Sequence, residues 1–180
     1  MSADVVSSAW LLELNGGARV AVGEQELLYV LPEEPVLHEV PYAPPHARHI
    51  VVWQDRILPL ADPGQLLPPA ADTAVALSST VQSLDHLLAI VAFDDQRSGT
   101  PGIGALLLRA VPSRISVRDD WVCALPAAFG PDGRLLKTCF VHPDWGTTPI
   151  LDLSALFGRR AVETAWGPRG DARLALRAAL

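Results

Sequence analysis

Residues 40–67, VPYAPPHARHIVVWQDRILPLADPGQLL, combine a proline-rich approach, two apolar runs and a polar tip. Each proline holds φ at about −65° and moves the preceding residue out of the helical region, so residues 40–45 are predicted to be extended. Two runs rich in β-branched and aromatic residues follow at 50–53 and 57–60, and the polar residues 54–56 separate them. This pattern predicts a β-hairpin with a three-residue tip.

Pro59 lies inside the second of these runs. Because proline cannot donate a hydrogen bond to a ladder, we expect the second arm to be an edge strand or to carry a bulge. Asp62, Pro63 and Gly64 then form a turn that ends the hairpin.

Short apolar segments recur along most of the chain, and Gly, Pro, Asn and Asp separate them. Asn15, Gly16 and Gly17 stand between two such segments, which is a strong hairpin signal because Asn and Gly tolerate positive φ. Many short strands without a long helical period predict an all-β protein built of barrels or a sandwich. The predicted strands outside the hairpin are residues 10–14, 18–22, 26–31, 36–40, 87–93, 103–111, 113–117, 121–125, 134–141 and 149–153; a turn at 154–157 ends at Gly158.

Residues 68–83 are rich in Pro, Ala, Ser, Thr and Asp, a composition that suits a connection between lobes. We therefore predict lobes at residues 9–67 and 84–157. Residues 158–180 form a basic tail that contains five arginines. Asp171 can cap a short helix there, which either docks on a lobe or frays.

The order and spacing of residues 41–62 resemble the signature of the CheW family, the adaptor domain that couples bacterial chemoreceptors to the histidine kinase CheA. In that family a proline-spaced approach leads to a small residue, an apolar run, an Arg-Gly pair, a second apolar run, a proline and an aspartate. The matching positions here are Pro41, Pro44, His49, residues 50–53, Gln54 with Asp55, residues 57–58, Pro59 and Asp62. His49 stands where glycine is usual, and Gln54-Asp55 replaces the Arg-Gly pair whose arginine is tied to signalling contacts.

The resemblance covers residues 10–157 and implies a single CheW-like domain over residues 1–180. The implied fold is all-β, with two five-stranded, SH3-like β-barrel lobes and a short C-terminal tail or helix. In the second half, residues 102–111 and 148–157 match the family pattern, although Leu106 and Leu107 occupy the neighbourhood of its usual acidic residue.

The function that the resemblance implies is a non-catalytic signal-transduction adaptor. Its implied partners are the regulatory domain of a CheA-type histidine kinase and a methyl-accepting chemoreceptor, with the membrane reached only indirectly through the receptor. Similar members serve type IV pilus and twitching motility systems, and the altered Arg-Gly pair is compatible with such a divergent member. The alternative is a small-molecule-binding or hydrolytic β-barrel protein, which requires a cavity with convergent polar groups.

The predicted protein-binding site is the hairpin tip, where the family places its Arg-Gly contact. Its residues are Trp53, Gln54, Asp55, Arg56 and Pro59. Trp53 is either an interface anchor, since aromatic residues bury a large area at low entropic cost, or a core tryptophan. Its position beside a polar tip leaves both interpretations open.

Charge is divided unevenly along the chain. Residues 1–96 carry 3 basic and 13 acidic side chains, a net −10, and residues 97–180 carry 11 and 7, a net +4, which sum to −6. Nucleic acid is not expected as a partner, because phosphate binding needs clustered Lys and Arg. The asymmetry is either incidental to solvated faces or marks an acidic patch for a basic partner.

Composition and the absence of targeting patterns indicate whether the chain folds and where in the cell it is expected. With 49% hydrophobic and 19% charged residues, the chain is expected to fold. No uncharged apolar run reaches the roughly 18 residues that span a bilayer, and residues 1–4 lack the pattern of a secretory signal. We expect a cytoplasmic protein. Cys123 and Cys139 are then interpreted as two buried thiols, while a disulfide between them needs an oxidising compartment.

Motifs for catalysis, cofactors or metals are not evident in the sequence, so we expect no catalytic residue, no cofactor and no metal site. His38, His46 and His49 lie close together but lack a ligand pair at metal spacing. Asp94-Asp95 and Asp119-Asp120 are interpreted as solvated loop acids, because adjacent strand residues point to opposite faces.

Overall fold

The computed structural model describes residues 6–31, 36–69, 87–95 and 99–158, in which short β-strands dominate. Most of the predicted connection at 68–83 and the basic tail beyond Gly158 lie outside the described residues. The strands are β1 (Val6–Glu13), β2 (Arg19–Gly23), β3 (Leu27–Leu31), β4 (Leu37–Glu39), β5 (His49–Trp53), β6 (Arg56–Ala61), β7 (Leu87–Asp94), β8 (Pro101–Leu108), β9 (Ser113–Arg118), β10 (Val122–Cys123), β11 (Leu136–His142) and β12 (Gly146–Leu151), and the helix is α1 (Leu153–Phe157).

These strands form two mixed sheets of six strands each. Sheet I has the order β3-β7-β8-β6-β5-β4, and sheet II has the order β10-β11-β12-β2-β1-β9. The prediction of an all-β fold is confirmed. Each sheet has one strand more than the five predicted, and both contain a very short edge strand, the three-residue β4 and the two-residue β10.

The two sheets repeat one topology. Read in reverse, sheet II has the order β9-β1-β2-β12-β11-β10, and each of its strands then has a counterpart in sheet I with the same type of pairing. In sheet I, β8 pairs in parallel with β6; in sheet II, β2 pairs in parallel with β12. All other neighbouring pairs are antiparallel.

A short sequence repeat marks the equivalent parallel pairings. Residues 59–62 read Pro-Leu-Ala-Asp and residues 149–152 read Pro-Ile-Leu-Asp. In each case the residue after the proline makes the parallel pairing, Leu60 with Ala105 and Ile150 with Ala21. Each aspartate then precedes a helical turn, and for Asp152 this turn is α1. The Asp152 side chain caps α1, since it accepts a hydrogen bond of 3.0 Å from the Ala155 amide.

The prediction that Pro59 lies in an edge strand or at a bulge is wrong, because β6 lies between β8 and β5 and its register with β5 is continuous. Pro59 lies opposite Ile50 of β5, while the parallel pairing with β8 begins only at Leu60. A proline is tolerated there because it lies just before the parallel ladder, where no donor toward β8 is needed.

The predicted lobes at 9–67 and 84–157 do not coincide with the sheets. Hairpin β1–β2 pairs with β9 and β12 from the second half of the chain, and β7–β8 from the second half pair with β3 and β6 from the first. Each sheet therefore joins distant segments, which a change of composition along the chain does not reveal.

Three clusters of buried apolar side chains hold the described residues together. One lies within sheet I, around Val51, Leu58 and Ile90. A second lies within sheet II, around Leu11, Ile115 and Phe140. The largest contains side chains from both sheets, such as Leu12 from β1 and Leu14 directly after it with Leu106 and Leu108 from β8, all four 0% exposed. Since each such side chain stabilises the fold by about 1.5–3 kcal/mol when buried, the two sheets form one folding unit.

A contact between two turns joins the sheets outside the apolar cluster. The turn Asn15–Gly17 follows β1, and the turn Pro63–Gln65 follows β6. Asn15 Nδ2 donates a hydrogen bond of 3.4 Å to Asp62 Oδ2, and the Gly64 backbone lies so close to Asn15 that a Cβ on Gly64 would be 2.0 Å from the Asn15 carbonyl oxygen. Only glycine fits at residue 64.

We predict that Gly64→Ala lowers the free energy of unfolding by about 2 kcal/mol or more, because the added methyl group must push apart two backbone segments. Urea unfolding of the full chain measures this loss. Gly99→Ala is the matched control, since its Cβ meets nothing within 4 Å and only its φ of +66° is unfavourable, at a cost of about 1 kcal/mol. Equal losses in the two variants would contradict the close contact at Gly64.

Candidate protein-binding site

The hairpin β5–β6 carries the predicted site, and its tip has two residues. Trp53 pairs with Arg56, so only Gln54 and Asp55 form the turn. Their φ values are 48° and 60°, and positive φ at both central residues defines a type I′ turn, whose twist matches that of the flanking strands. The prediction of a three-residue tip is wrong, because Arg56 is the first residue of β6.

The inner face of this hairpin belongs to the core of sheet I. Val51 and Leu58 face each other across the two strands and are buried. Trp53, two residues further along β5, is partly buried and packs against the same cluster. Trp53 therefore has features of both interpretations. Its ring extends the core toward the tip, while some of its surface stays accessible.

The outer face of the hairpin is apolar and exposed. Val52 and Ile57 form a cross-strand pair and are 54% and 70% exposed. Ile50 and Pro59 form the next pair on this face, with Pro59 exposed and Ile50 partly buried. We call these four residues, Ile50, Val52, Ile57 and Pro59, the outer patch.

The position on β4 next to the outer patch is polar, because His38 lies opposite Ile50 and is exposed. Val36, directly before β4, is an exposed apolar residue, at 73%. The apolar surface is therefore the outer patch itself. Single exposed apolar residues are common on protein surfaces, but a contiguous group on one sheet face is characteristic of an interaction site.

The structure divides the five predicted site residues among three places. Gln54 and Asp55 form the exposed turn, Trp53 and Arg56 lie side by side on the inner-face side, and Pro59 lies in the outer patch. The apolar centre of the outer patch, Val52 with Ile57, is absent from the predicted set. Its signal in the sequence is that residues 50–53 are apolar at every position, whereas a strand with one solvated face alternates.

Opposite charges from the two halves of the chain meet within the molecule. Arg114 on β9 forms an ion pair with Glu24, and the Lys137 ammonium group lies 2.9 Å from the carboxylate of Glu26. Such exposed pairs contribute about 0–1 kcal/mol each. They nevertheless account for two of the acidic side chains of the first half without an external basic partner.

The acidic pair 119–120 also has an internal partner. Arg118 donates two hydrogen bonds of 2.9 Å to the Asp120 carboxylate, and this contact lowers the pKa of Asp120 below its ordinary value. A carboxylate held in its charged form in this way is a poor proton donor at neutral pH. Asp120 thus has the character of a surface ion-pair residue.

The three histidines that lie close in sequence are distributed over separate elements. His38 is on β4, His46 is in a 3₁₀ turn (Pro45–Ala47) and His49 is on β5. Within residues 6–31, 36–69, 87–95 and 99–158, no group of three or more His, Cys, Asp or Glu side chains is arranged to hold a metal ion. In the same ranges, no helix has the length and apolar character needed to cross a membrane.

Together, the two sheets with their repeated topology and the exposed hairpin define a two-lobe, SH3-like all-β fold of the CheW type. Among solved structures, the scaffolding protein TtCheW from Thermoanaerobacter tengcongensis is similar, with a TM-score of 0.64 over 85% of this chain and 93% of that chain, at 16% sequence identity. This similarity confirms the fold that the sequence resemblance implied. No protein-family model and no curated protein sequence matches the chain.

The type I′ turn generates a prediction about stability. Asp55→Gly should raise the free energy of unfolding by about 0.5–1 kcal/mol, because glycine adopts positive φ without the Cβ penalty that aspartate has. Urea unfolding measures the gain. Asp94→Gly, in an exposed strand position without positive φ, should instead lower stability, since glycine there only adds freedom to the unfolded chain. Destabilisation by Asp55→Gly would contradict the assigned turn type.

The packing of Trp53 generates a second prediction. Trp53→Ala should lower the free energy of unfolding by about 2 kcal/mol, less than the 3–5 kcal/mol typical of a fully buried tryptophan, because the ring is only partly covered. Thermal and urea unfolding measure the loss. Trp53→Phe keeps a ring on the cluster and should recover most of the stability; an unchanged unfolding curve in Trp53→Ala would place the ring outside the core.

Proposed function

We propose that this protein is a non-catalytic, cytoplasmic scaffold that couples a chemoreceptor to the regulatory domain of a CheA-type histidine kinase. The proposal is supported first by the fold, which is similar to that of a protein described as a scaffolding protein. Fold alone does not imply function, so the surface has to supply the second argument. The single observation that carries the proposal is the exposed, apolar outer patch on hairpin β5–β6.

The outer patch suits recognition of a protein partner. Its side chains are branched or cyclic and lie on a regular sheet, so they lose little conformational entropy on binding. Val52 and Ile57 are more than half exposed and directly opposite each other, which provides a flat apolar centre. A partner that covers this centre would leave the polar turn 54–55 at its margin. Protein interfaces have this arrangement of an apolar core and a polar rim.

The turn gives the scaffold a different contact chemistry from that of the family it resembles. Gln54 and Asp55 are exposed where the family has Arg-Gly. Glutamine cannot form the bidentate, charge-assisted hydrogen bonds of arginine, so the partner of this chain is expected to rely more on the outer patch. A scaffold of a type IV pilus or twitching motility pathway is the variant of the proposal that this difference favours.

We predict that Ile57→Asp weakens binding to the CheA-type regulatory domain by tenfold or more, because a charge in the apolar centre must be desolvated on binding. Titration calorimetry with the full chain and the purified regulatory domain measures the affinity, and a cytoplasmic receptor fragment is titrated separately. Val111→Asp is the matched control, since Val111 is also 70% exposed but lies outside the hairpin.

Co-purification of the full chain from its native cell, followed by mass spectrometry, identifies the kinase and the receptor to be titrated. A chemotaxis kinase and a pilus-pathway kinase are separate outcomes of this experiment. Unchanged affinity of Ile57→Asp for both partners would remove the outer patch from the interface. Recovery of neither a histidine kinase nor a receptor would overturn the scaffold proposal itself.

A further inference from the structure

Two cysteines face each other across an edge of sheet II. Cys123 on β10 is the direct cross-strand partner of Cys139 on β11, and the two Sγ atoms are 2.7 Å apart. Both are free thiols; Cys123 is partly exposed, and Cys139 is fully buried. Because a disulfide bond is about 2.05 Å long, the two sulfurs need to approach by only about 0.7 Å to be joined.

From this juxtaposition we propose that Cys123 and Cys139 form a reversible dithiol–disulfide site, at which a low-molecular-weight disulfide oxidises the protein. The proposal is independent of the scaffold function. It assigns a role to the only two cysteines of the chain. Exposed disulfides are typically the labile and regulatory ones, which is the class of modification proposed here.

The surroundings of the two sulfurs indicate which thiol reacts first with the oxidant. The Cys139 thiol lies 3.2 Å from the Cys123 carbonyl oxygen and 3.1 Å from that of Ala124, and it can donate to them. Burial and the neighbouring Cys123 raise the pKa of Cys139 to about 12, so Cys139 remains protonated at neutral pH. Cys123, the accessible member, is therefore the thiol that meets the oxidant first.

The reaction follows in two exchange steps. The Cys123 thiolate attacks one sulfur of the small disulfide, forms a mixed disulfide and releases one small thiolate. The Cys139 thiol then transfers its proton to the released small thiolate and attacks the Cys123 sulfur, which forms the Cys123–Cys139 bond and releases the second small thiolate. The two protein thiols lose two electrons, and the small disulfide gains them and becomes two thiols.

The site lies where the backbone can move. Directly opposed strand residues have Cβ atoms about 4.5–5.5 Å apart, slightly more than a disulfide prefers, so one strand must shift as the bond forms. β10 is an edge strand of only two residues, and it lies between a 3₁₀ turn (Asp119–Trp121) and the connection to a second turn (Ala127–Leu135). An edge element of this size can adjust without disturbing the inner strands β11 and β12.

The test treats the full chain with oxidised glutathione and follows intact mass and free thiols after unfolding. The natural chain should lose the mass of two hydrogens, retain no glutathione and recover both thiols with dithiothreitol; peptide mapping should place the bond at Cys123 and Cys139. Cys139→Ser should retain one glutathione on Cys123, because the second thiol is absent. Cys123→Ser should stay unmodified, because Cys139 is buried.

Thermal unfolding gives an independent measure. Oxidation should raise the melting temperature of the natural chain by about 5–10 °C, as expected for closure of a loop of this length in a domain of this size, and leave the Cys123→Ser protein unchanged. If serine at residue 139 prevents folding, Cys139→Ala serves in its place. Stable retention of glutathione by the natural chain, a disulfide between two molecules, or two free thiols in the natural chain under conditions that modify Cys139→Ser would each overturn the proposal.

Discussion

The contact between the Asn15–Gly17 turn and the turn after β6 is the constraint on which the relation of the two sheets depends. Gly64 brings one backbone against the other, and Asp62 accepts hydrogen bonds from Asn15 across the sheets and from Gln65 within its own turn, at 3.4 and 2.8 Å. Asp62 is 8% exposed, and its Oδ1 atom has no hydrogen-bond partner among the described residues. Burying a carboxylate costs free energy unless its hydrogen-bond partners are in place. The contact between these two turns therefore favours one relative position of the two sheets.

The Pro-x-x-Asp segment occurs twice with the same local structure, but its two aspartates make different contacts. In both sheets the proline precedes the single region of parallel pairing, and the aspartate begins a helical turn. Asp62 directs its side chain across to the other sheet, whereas Asp152 caps α1, whose Leu153 and Leu156 enter the cluster shared by both sheets. The hairpins β5–β6 and β11–β12 therefore both end in an element that ties their own sheet to the other one.

Local features of this fold could be predicted from the sequence, and pairings between distant segments could not. Apolar runs bounded by Gly, Pro, Asn and Asp predicted the strands, and Asn15-Gly16-Gly17 predicted the first hairpin. The parallel pairings of Leu60 with Ala105 and Ile150 with Ala21 join residues far apart in the chain, and periodicity contains no information about such partners. For the candidate site, the resemblance predicted the position of the turn, but the apolar run 50–53 has the same appearance whether one face of its strand is covered or, as at Val52, exposed.

The composition of the hairpin indicates how its proposed role differs from that of the family pattern. Residues in a type I′ turn adopt positive φ, which glycine does without strain, so the family's Arg-Gly pair has its glycine where this chain has Asp55 at φ 60°. Aspartate is among the non-glycine residues that tolerate this conformation best, and it adds a negative charge beside Arg56 at the exposed tip. This chain thus forms a type I′ turn without glycine and without the donor that arginine would provide. If the hairpin binds a partner, the apolar outer patch then has to supply most of the affinity, and the changed polar residues of the turn select which partner fits.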